Sequence, residues 1–513
     1  MALTTLISIS PLYAAALGLV GFLVCLVVNS KKYKLDHIPG PFIAKYTDAW
    51  RAYKAWSFNH FTDGNNYQTE LLGKYGDVVR IGPNTVLVLD PEAINTVLGF
   101  KERLEKGPGY QVFVIRGTTQ TALVGIKDEA THGRYRRPIA NAYSLSSLKG
   151  YEPYIDQTIN TLTDVLDQRV TDGKAINMSD YLHYWSFDVI STLTFGEPLG
   201  FIQHGNDFNG MIKAQKAVFR HISITNNMPL LDTIVKMNPI PKLLQKKPNV
   251  FFNFASRVVK ERVSQADVEK ATQKTTNEKG QQIHKDLLSN FIAARPSYPD
   301  VMTDLRITHY ATTNVLAGAN NSALAMDRTI HYLAHHPDMQ EKLHGEIMNT
   351  KMDDIKDTEG PPALDLALKM KFLEAIIQES YRTFAMPSNN LERLVSPAGL
   401  TLPNGVRLPP GAVAAMNGPA LMHRKEIFGE DVDVFRPQRW MKGENETEEQ
   451  FAQRRLKMDR SMLPFGSGSR TCIGRNVVQL ELYKIWPHLV KTYKFEPVGD
   501  VKLHNVWVTV KRR

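Results

Sequence analysis

The sequence predicts a mostly α-helical domain with a minor β portion, preceded by an N-terminal transmembrane helix. Three observations support this fold class: a long uncharged run near the N-terminus, apolar residues at helical spacing over most long segments, and short apolar runs separated by proline and glycine in two regions. A chain of 513 residues with a hydrophobic fraction of 43% can bury a sizeable core. Because no internal repeat is visible, we expect one large domain plus an anchor.

The anchor is predicted from the uncharged run Pro11–Val28, whose 18 residues are just long enough to cross a bilayer as a helix. Lys31, Lys32 and Lys34 follow the run at once, and no charged side chain precedes it. By the positive-inside rule, the bulk of the chain then faces the cytosol. We therefore expect a protein that crosses a membrane once.

A stiff hinge follows the anchor. Pro39 and Pro41 each fix their own φ angle and restrict the residue before them, so this segment has few accessible conformations. The predicted division of the chain is an anchor at residues 1–30, a proline-rich hinge at residues 31–42 and a catalytic domain at residues 43–513.

Short strands are predicted in two regions of the catalytic domain. Residues 78–89 contain two apolar runs around a Gly-Pro-Asn turn, which is the pattern of a β-hairpin. Residues 401–416 alternate short apolar runs with proline and glycine, which indicates small strands. Two other stretches, residues 263–285 and 442–460, are rich in charged and polar side chains, and we expect both to be loops.

The longest predicted helix begins after Pro299, with Asp300 as its N-cap, and ends at His336 before a proline. At 1.5 Å per residue, about 34 residues would span roughly 50 Å. A helix of that length can cross a whole domain. Gly318 is the single glycine in its middle.

The segment Phe465–Gly474 carries the strongest chemical signal in the chain. It holds Cys472, one of only two cysteines, among glycines and two residues after Arg470. Glycines let the backbone approach a flat ligand without a side-chain clash. Backbone donors at the start of the following helix, together with the arginine, favour a thiolate that ligates a metal. From this segment alone, an inert buried cysteine is the ordinary alternative.

Composition narrows the compartment and the partners. The other cysteine, Cys25, lies in the apolar N-terminal run. We therefore expect no disulfide framework, and we expect the domain to lie in a reducing compartment. The net charge of +10 is spread along the chain, without a basic block of the nucleic-acid type. This charge fits an anionic membrane surface or an acidic protein partner better than nucleic acid.

As Phe-x-x-Gly-x-Arg-x-Cys-x-Gly, the cysteine loop resembles the haem-binding loop of the cytochrome P-450 superfamily of haem-thiolate monooxygenases. The chain as a whole is similar to the microsomal, membrane-anchored type, and to fungal members that act in secondary metabolism. The resemblance implies the haem-thiolate fold, haem b (iron protoporphyrin IX) as cofactor, and Cys472 as the axial ligand of the haem iron. It also implies that Phe465 and Arg470 bind the cofactor.

A second motif agrees with this family. Glu379 and Arg382 share one face of a helix at i, i+3, and Arg439 follows in a Phe-Arg-Pro-Gln-Arg-Trp segment. An isolated pair of this kind is usually an exposed salt bridge of little energetic value. The resemblance instead implies a buried network of the three ions behind the haem, with a structural role.

Haem carries two propionates that need cations. The resemblance assigns this role to His132 and Arg136, one turn apart on a predicted helix, and to Arg393 and Arg470. Arginine suits the task because its planar fork meets a carboxylate bidentately.

The same helix carries two further arginines, Arg134 and Arg137. They are expected either to form an ordinary solvated basic face or, by the resemblance, to dock an acidic reductase. Electrons would then come from NADPH through a separate flavoprotein reductase in the same membrane.

The sequence departs from the family pattern at Asn320 and Asn321, where an acid and a threonine are usual. The resemblance places Gly318, Asn320, Asn321 and Ser322 on the oxygen-binding helix as catalytic residues. Asparagine can order water but does not titrate as an acid, and Ser322 is turned about 100° around the helix. Three interpretations stay open: ordered water delivers protons, the substrate supplies a hydroxyl or amine, or the enzyme couples, closes rings or desaturates without inserting oxygen.

The predicted function is a haem-dependent monooxygenase that uses O2 and electrons from NADPH to hydroxylate, epoxidise or desaturate a lipophilic small molecule in secondary-metabolite biosynthesis. A haem-thiolate oxidase for oxidative coupling or ring closure is one alternative, and a non-catalytic haem sensor is another. Substrate contacts are expected in residues 110–122, 315–321 and 385–391, and near Val506.

Overall fold

Helices dominate the computed structural model, and the predicted class, mostly α with a minor β portion, is confirmed. The structure describes residues 11–57, 67–114, 121–237, 250–272, 286–350, 360–383, 389–499 and 502–513. Its α-helices are α1 (Pro11–Lys32), α2 (Ala49–Ser57), α3 (Tyr67–Tyr75), α4 (Ile94–Leu98), α5 (Glu129–Ala140), α6 (Leu145–Lys149), α7 (Glu152–Asp172), α8 (Met178–Phe195), α9 (Phe201–His204), α10 (Met211–Thr225), α11 (Pro229–Met237), α12 (Val250–Thr272), α13 (Leu287–Ala293), α14 (Asp304–His335), α15 (Pro337–Asn349), α16 (Leu364–Ala367), α17 (Lys371–Thr383), α18 (Gly418–Met422), α19 (Lys425–Phe428), α20 (Glu448–Ser461) and α21 (Arg475–Thr492). Its β-strands are β1 (Val78–Arg80), β2 (Thr85–Val88), β3 (Ile176–Asn177), β4 (Leu391–Leu394), β5 (Leu400–Thr401), β6 (Arg407–Leu408), β7 (Val413–Met416), β8 (Tyr493–Pro497) and β9 (Trp507–Arg512).

The long helix α14 organises the domain. It packs along α8 and α12 and also contacts α17 and α21. Thr303 is its N-cap, and the Thr303 hydroxyl accepts a hydrogen bond from a backbone N–H in the first turn. The predicted N-cap at Asp300 is therefore wrong. Residues 299–301 form a turn, and Thr303 has the extended backbone that an N-cap requires.

Two of the three small sheets confirm the predicted strands. The order β1-β2-β7-β4 forms a four-stranded sheet, and β1 pairs with β2 in antiparallel register with Val79 opposite Leu87. The predicted hairpin at residues 78–89 is thus confirmed. β7 runs parallel to β2 and antiparallel to β4, and β5 pairs with β6. The small strands predicted at residues 401–416 are therefore present.

The third sheet joins two distant parts of the chain. Its order is β3-β9-β8, so the last strand of the chain lies in the middle. Ile176 of β3 pairs with Val508 of β9. Nearby, the Val506 N–H donates a hydrogen bond to the Ser179 hydroxyl, 327 residues earlier in the sequence.

The loop predicted at residues 263–285 is partly wrong. α12 continues as a helix to Thr272, whereas residues 273–285 lie outside the described part of the chain. Earlier residues of α12, such as Phe251 and Val259, are buried in the core. Because helix elongation is easier than nucleation, a helix already packed by these residues extends into a polar stretch.

The loop predicted at residues 442–460 is wrong as well, because α20 covers most of it. Thr447 and Gln450 form a capping box at the start of α20. On its surface, Arg455 Nε lies 3.0 Å from both carboxylate oxygens of Asp459, one turn further on. Caps and i, i+4 pairs stabilise this helix, which has few apolar residues to reveal it in the sequence.

α1 agrees with the predicted anchor in length and composition. The most apolar 18-residue window within Leu12–Lys32 has a mean hydropathy of 2.3, and none of this window is buried against protein. Its exposed side chains include Leu17 and Phe22. A helix this long and apolar can cross a membrane.

The buried side chains form two clusters. The larger cluster contains residues of α7, α8, α14, α17 and α21, and the smaller one surrounds the four-stranded sheet and α4. Leu463, just before the cysteine loop, belongs to the smaller cluster, and Val477, just after it, belongs to the larger. The loop that carries Cys472 therefore lies at the junction of the two clusters.

A buried ionic network connects α17 to the segment that precedes α20. The Glu379 carboxylate is fully buried and accepts hydrogen bonds from Arg382 Nε and Nη2 at 2.9 and 2.8 Å. Arg439 Nε lies 3.3 Å from Glu379 Oε1, and Trp440 Nε1 donates to Oε2 at 2.8 Å. The predicted network of Glu379, Arg382 and Arg439 is confirmed.

The carboxylate of this network is ionised. Burial acts to raise the pKa of Glu379, but the hydrogen bond from Arg382 and the charges of Arg382 and Arg439 hold it below its usual value. Asp431 adds a second carboxylate, 2.8 Å from Arg439 Nη1. Glu379, Arg382 and Arg439 therefore compensate one another's charges away from water, where the loss of one member leaves the others unpaired, and Asp431 joins them from a partly exposed position.

We predict that Glu379→Gln destabilises the protein by about 3–5 kcal/mol, because two buried guanidinium groups lose their shared counter-ion. The apparent unfolding temperature of the detergent-solubilised protein measures the effect. Glu448→Gln is the matched control, since Glu448 pairs with Lys442 at an exposed site, where its removal costs about 1 kcal/mol or less. Equal shifts for the two variants would contradict the prediction.

Candidate functional site

The loop that carries Cys472 connects α20 to α21. The Cys472 N–H donates a hydrogen bond to the Phe465 carbonyl at 2.9 Å. The Thr471 hydroxyl donates to the Gly468 carbonyl at 2.8 Å. These bonds close the loop on itself, so that the cysteine is held by local backbone structure just before α21 begins.

Two glycines shape this loop for different reasons. Gly466 and Gly468 both have a φ of 68°, in the left-handed region that favours glycine. A Cβ on Gly468 would overlap the carbonyl oxygen of Leu98 at the end of α4, whereas nothing lies near a Cβ on Gly466. Gly468 therefore also allows the close approach of the loop to α4.

The Cys472 side chain is exposed, although burial acts on its thiol. Burial raises the pKa of the thiol, while the N–H groups of Gly474 and Arg475 and the charge of Arg136 act in the opposite direction. From the two observations together we infer that the sulfur lines an internal space rather than the outer surface. In the chain by itself, burial outweighs the donors that were expected to favour a thiolate. A coordinated metal cation deprotonates a thiol outright.

Basic side chains from four separate segments converge beside this loop. They are Lys106, from the segment before Pro108, His132 and Arg136 of α5, Arg393 of β4, and Arg470 of the loop. Among the described residues, Glu129 is the one acid that forms an ion pair with any of these five, and it pairs with Arg470 at 2.7 Å. The cluster therefore has more buried positive charge than the described chain compensates.

Two members of the cluster show the effect of this charge. Burial and the charges of Arg470 and Arg393 lower the pKa of Lys106 well below its usual value. Burial, followed by the charges of Arg470 and Lys106, lowers the pKa of His132 to about 3. A neutral imidazole still donates through one N–H. Concentrated positive charge in an interior is unfavourable unless an anion binds there.

Arg136 and Arg470 also hold the site together. Arg136 Nη1 donates to the Thr471 carbonyl at 2.8 Å, which connects α5 to the cysteine loop. Arg470 binds Glu129 through Nε and donates through its two terminal nitrogens to backbone carbonyls just before α5. Arg470 thus adds charge to the cluster while its donors bind protein, and its predicted contact with a propionate stays a prediction.

This set of groups fits a haem. A thiol on the wall of an internal space can ligate iron, and the basic cluster beside it provides the positive charge that two propionates require. The described residues contain no group of three or more histidine, cysteine, aspartate or glutamate side chains that could hold a metal ion without a cofactor. A zinc site built from protein ligands therefore does not fit the described part of the chain.

Phe465 links the cysteine loop to the buried ionic network. Its ring packs edge-on against Tyr381, with 5.2 Å between the ring centroids. Tyr381 precedes Arg382 on α17, so the loop rests on the helix that carries Glu379. The contact of Phe465 with a cofactor stays a prediction.

Gly318 faces the neighbouring helix α8. A Cβ at this position would lie 2.6 Å from Ile190 Cγ1, so the glycine permits the two helices to pack closely. α14 is helical without interruption from Asp304 to His335. The structure thus gives Gly318 a packing role, and its predicted role beside oxygen stays a prediction.

The other three residues predicted as catalytic follow on α14. Asn320 is buried, and its Nδ2 has no hydrogen-bond partner in the described structure. Asn321 is half-buried. Ser322 is buried, and its hydroxyl donates to a carboxyl oxygen of Glu481 on α21. The serine therefore faces α21.

The predicted substrate contacts are described only in part. Residues 115–120 and 384–388 lie outside the described part of the chain. Tyr110, Val315 and Val506 are buried, as ordinary core residues are. Their roles toward a substrate stay predictions.

Two residues of interest were missed by reasoning from the sequence. Lys106 belongs to no local motif and reaches the basic cluster because its backbone bridges to Arg393. Glu481 stands between Leu480 and Leu482 in an apolar stretch of α21. A single acid inside a buried helix is rare, and that signal could have identified it.

Comparison with known proteins agrees with this site. The family model described as Cytochrome P450 matches residues 50–510. A cytochrome P450 monooxygenase of Aspergillus terreus is 30% identical, with 95% of each chain covered. Cytochrome P450 monooxygenase cicH of Emericella nidulans is 32% identical over 96% of this chain and 95% of its own length. Cytochrome P450 monooxygenase vrtE of Penicillium aethiopicum is 29% identical over 88% of this chain and 83% of its own length.

We predict that Gly468→Ala and Gly466→Ala differ sharply in their effect on stability. Each places a Cβ at positive φ, which costs roughly 1–2 kcal/mol. Gly468→Ala must also move the loop away from the Leu98 carbonyl, so its unfolding temperature should fall clearly further. Thermal unfolding of the two variants side by side tests this, and equal losses would show that the close approach to α4 is not required.

Proposed function

The chain belongs to the cytochrome P450 family of monooxygenases, and we propose that it oxidises a lipophilic small molecule at a haem b held by Cys472. The observation that carries the proposal is the exposed Cys472 thiol on an internal space, beside five basic groups. A non-catalytic haem sensor would share this haem site but would not need a supply of electrons.

In the proposed site, the haem would carry out the oxidation chemistry, and the protein side chains would bind and orient the haem. When bound, thiolate-ligated haem supplies oxygen activation, because the thiolate pushes electron density onto the iron and favours O–O cleavage. Cys472 would hold the iron, and Arg136, Arg393, His132 and Lys106 would bind the propionates. The fixed fork of each arginine would set the orientation of the ring.

Substrate chemistry would be controlled on the α14 side. Asn320 has an unpaired, buried Nδ2, which can hold a water molecule. With Asn321 it would order water near the reacting centre. Because neither side chain is an acid, oxidative coupling, ring closure or desaturation without oxygen insertion is the second candidate.

Electrons would come from NADPH through a separate flavoprotein reductase. Arg134 and Arg137 are exposed on α5, the helix that also carries Arg136. An acidic partner docked there would be attracted by rim charges and would bind less well at high salt. No nucleic-acid partner is proposed.

The location and pathway are proposed on two grounds. α1 lies before the matched residues 50–510 and could anchor the protein in the endoplasmic reticulum membrane, with a hinge at 31–42 and the catalytic domain at 43–513 facing the cytosol. Two of the relatives, both about 95% covered, are monooxygenases from fungi, and this source supports a substrate from secondary metabolism.

We predict that the full chain, reduced under carbon monoxide, shows the strongly red-shifted Soret band of thiolate-ligated haem. Cys472→Ala should abolish this band. Cys25→Ala is the matched control, because that cysteine lies exposed in α1, and it should keep the wild-type spectrum. NADPH oxidation on addition of reductase then distinguishes an enzyme from a sensor. A colourless protein after haem supplementation, or an unchanged spectrum in Cys472→Ala, would overturn the proposed function.

We predict that Arg136→Met accelerates haem loss about tenfold or more, because a charge-assisted hydrogen bond to a carboxylate contributes about 1.5–3 kcal/mol. The measurement is transfer of haem to an excess of apomyoglobin. Arg137→Met, the exposed neighbour, should leave the rate of haem loss unchanged, even if it slows reduction by the reductase. Similar rates for both variants would exclude Arg136 as a propionate contact.

A further inference from the structure

Two buried side chains near the start of α14, Arg306 and His309, have nitrogen atoms without a hydrogen-bond partner. Arg306 is 3% exposed and His309 is 1% exposed. Arg306 Nε and both ring nitrogens of His309 bond to nothing in the described structure. Buried polar groups of this kind are rare in folded proteins, and each one requires an explanation.

The charge of Arg306 is not compensated within the described chain. Its Nη1 donates to the Thr121 carbonyl at 2.7 Å, and its guanidinium lies 4.1 Å from the centre of the Tyr135 ring on α5. Both contacts are favourable, but neither partner carries a full negative charge. No described carboxylate forms an ion pair with Arg306, whereas buried Arg51 and Arg382 each pair with a buried glutamate. A buried cation without a counter-ion favours the binding of an anion.

The segments around Arg306 do not supply that anion. Residues 106–127, which include the carbonyl that Arg306 binds, contain no aspartate or glutamate. Asp304, two residues before Arg306, forms its ion pair with Arg295. Asp300 is exposed at the surface. The described chain therefore leaves the positive charge of Arg306 to a bound molecule.

His309 is neutral at pH 7 and offers a hydrogen-bond donor beside this charge. Burial, followed by the charge of Arg306, lowers the pKa of the imidazole to about 4. A neutral imidazole has one N–H donor and one acceptor nitrogen, and the described chain uses neither. The ring packs against Phe252 of α12, with 5.6 Å between the ring centroids. Because Arg306 and His309 are i, i+3 neighbours on α14, both can contact the same ligand group.

These side chains lie on the face of α14 that turns away from α8. At about 100° per residue, His309 is about 180° around the helix from Gly318, which faces Ile190 of α8. His309 is only about 20° from Asn320, and Arg306 is about 40° from it. The axial distance from His309 to Asn320 is about 16 Å. One face of α14 therefore carries unpaired buried polar groups at both ends of this stretch.

We propose that Arg306 and His309 bind a carboxylate of the substrate, and that the enzyme oxidises a lipophilic carboxylic acid at a carbon remote from its acid group. The inference rests on the proposed monooxygenase function and names its substrate class. Arg306 supplies the charge and His309 one N–H, while the apolar remainder of the substrate lies along the same face of α14 toward Asn320. Neither residue touches the reacting carbon, so both determine specificity.

The binding of acids and of their methyl esters tests this charge preference. The probes are palmitic, naphthylacetic and abietic acid, each with its methyl ester. They are titrated by calorimetry into the detergent-solubilised, haem-loaded full chain, with protein-free detergent as the blank. At least one acid should bind about tenfold more tightly than its ester, in line with the contribution of a hydrogen bond between charged groups. If no acid binds more tightly than its ester, the inference is overturned.

Substitution of Arg306 tests whether this residue causes the preference. Arg306→Met keeps the length of the side chain without its charge and should bind acid and ester equally. Arg306→Lys keeps the charge and should retain a preference for the acid. Arg257→Met is the matched control, because Arg257 is an exposed arginine of α12, and it should bind the acids as wild type does. A wild-type preference in Arg306→Met would contradict the assignment.

His309→Phe separates substrate binding from packing. The variant keeps a ring against Phe252 and removes two nitrogens that bond to nothing in the described chain, so its unfolding temperature should not fall below that of wild type. Its affinity for the preferred acid should nevertheless fall about tenfold. Unchanged acid affinity would mean that the imidazole binds only water, and would overturn the assignment of His309. Should Arg306→Met fold poorly, this variant and the wild-type comparison of acid with ester still decide the question.

The carbon monoxide spectrum distinguishes a failure of this inference from a failure of the proposed function. The red-shifted band reports on haem and Cys472, whereas calorimetry measures binding without any turnover. A protein that has the band but shows no preference for acids refutes the carboxylate site alone. A wild-type protein without the band refutes the proposed function, whatever its preference for acids.

Discussion

The carboxylate of Glu379, shared between Arg382 and Arg439, is the interaction on which the site depends. It fixes α17 against the residues around Trp440, and Tyr381 of α17 supports the ring of Phe465 at the start of the cysteine loop. The position of Cys472 is therefore determined by charges that lie behind it. Removal of any one charge would leave its partners buried and uncompensated, which explains why a structural network is maintained at such a high desolvation cost.

Charge compensation separates the functional groups of this protein from the structural ones. Buried Glu379 and Glu392 have arginine partners within the chain, and these arginines compensate the charge of the two carboxylates. Described residues do not compensate the charge of the basic cluster around Lys106, and no described cation pairs with the buried acid Glu481. For the cluster the missing partner is an anion, which the propionates of a bound haem would provide. For Glu481 it is a proton, which makes the residue neutral.

The sequence predicted what local patterns encode. The hairpin at residues 78–89 and the long helix follow from spacing, whereas the Glu379 network follows from the family resemblance of its motif; the structure contains all three. α20 was not predicted as a helix, because its stability comes from caps and ion pairs, which leave no apolar periodicity in the sequence. Arg470 binds Glu129 of α5, and Lys106 is placed by its backbone bridge to Arg393 of β4. No local sequence pattern reveals either contact. Long-range side-chain geometry was thus the part that sequence reasoning could not reach.

The central position of β9 has a consequence for biosynthesis. Its partner β3 leaves the ribosome more than 300 residues earlier, as the separation of Val506 from Ser179 shows. At translation rates of about 5–20 residues per second, the earlier segment waits on the order of tens of seconds with one sheet edge uncovered. The nascent polypeptide can complete this sheet only after the codons of β9 have been read, so the pairing edge of β3 stays open to other strands until then.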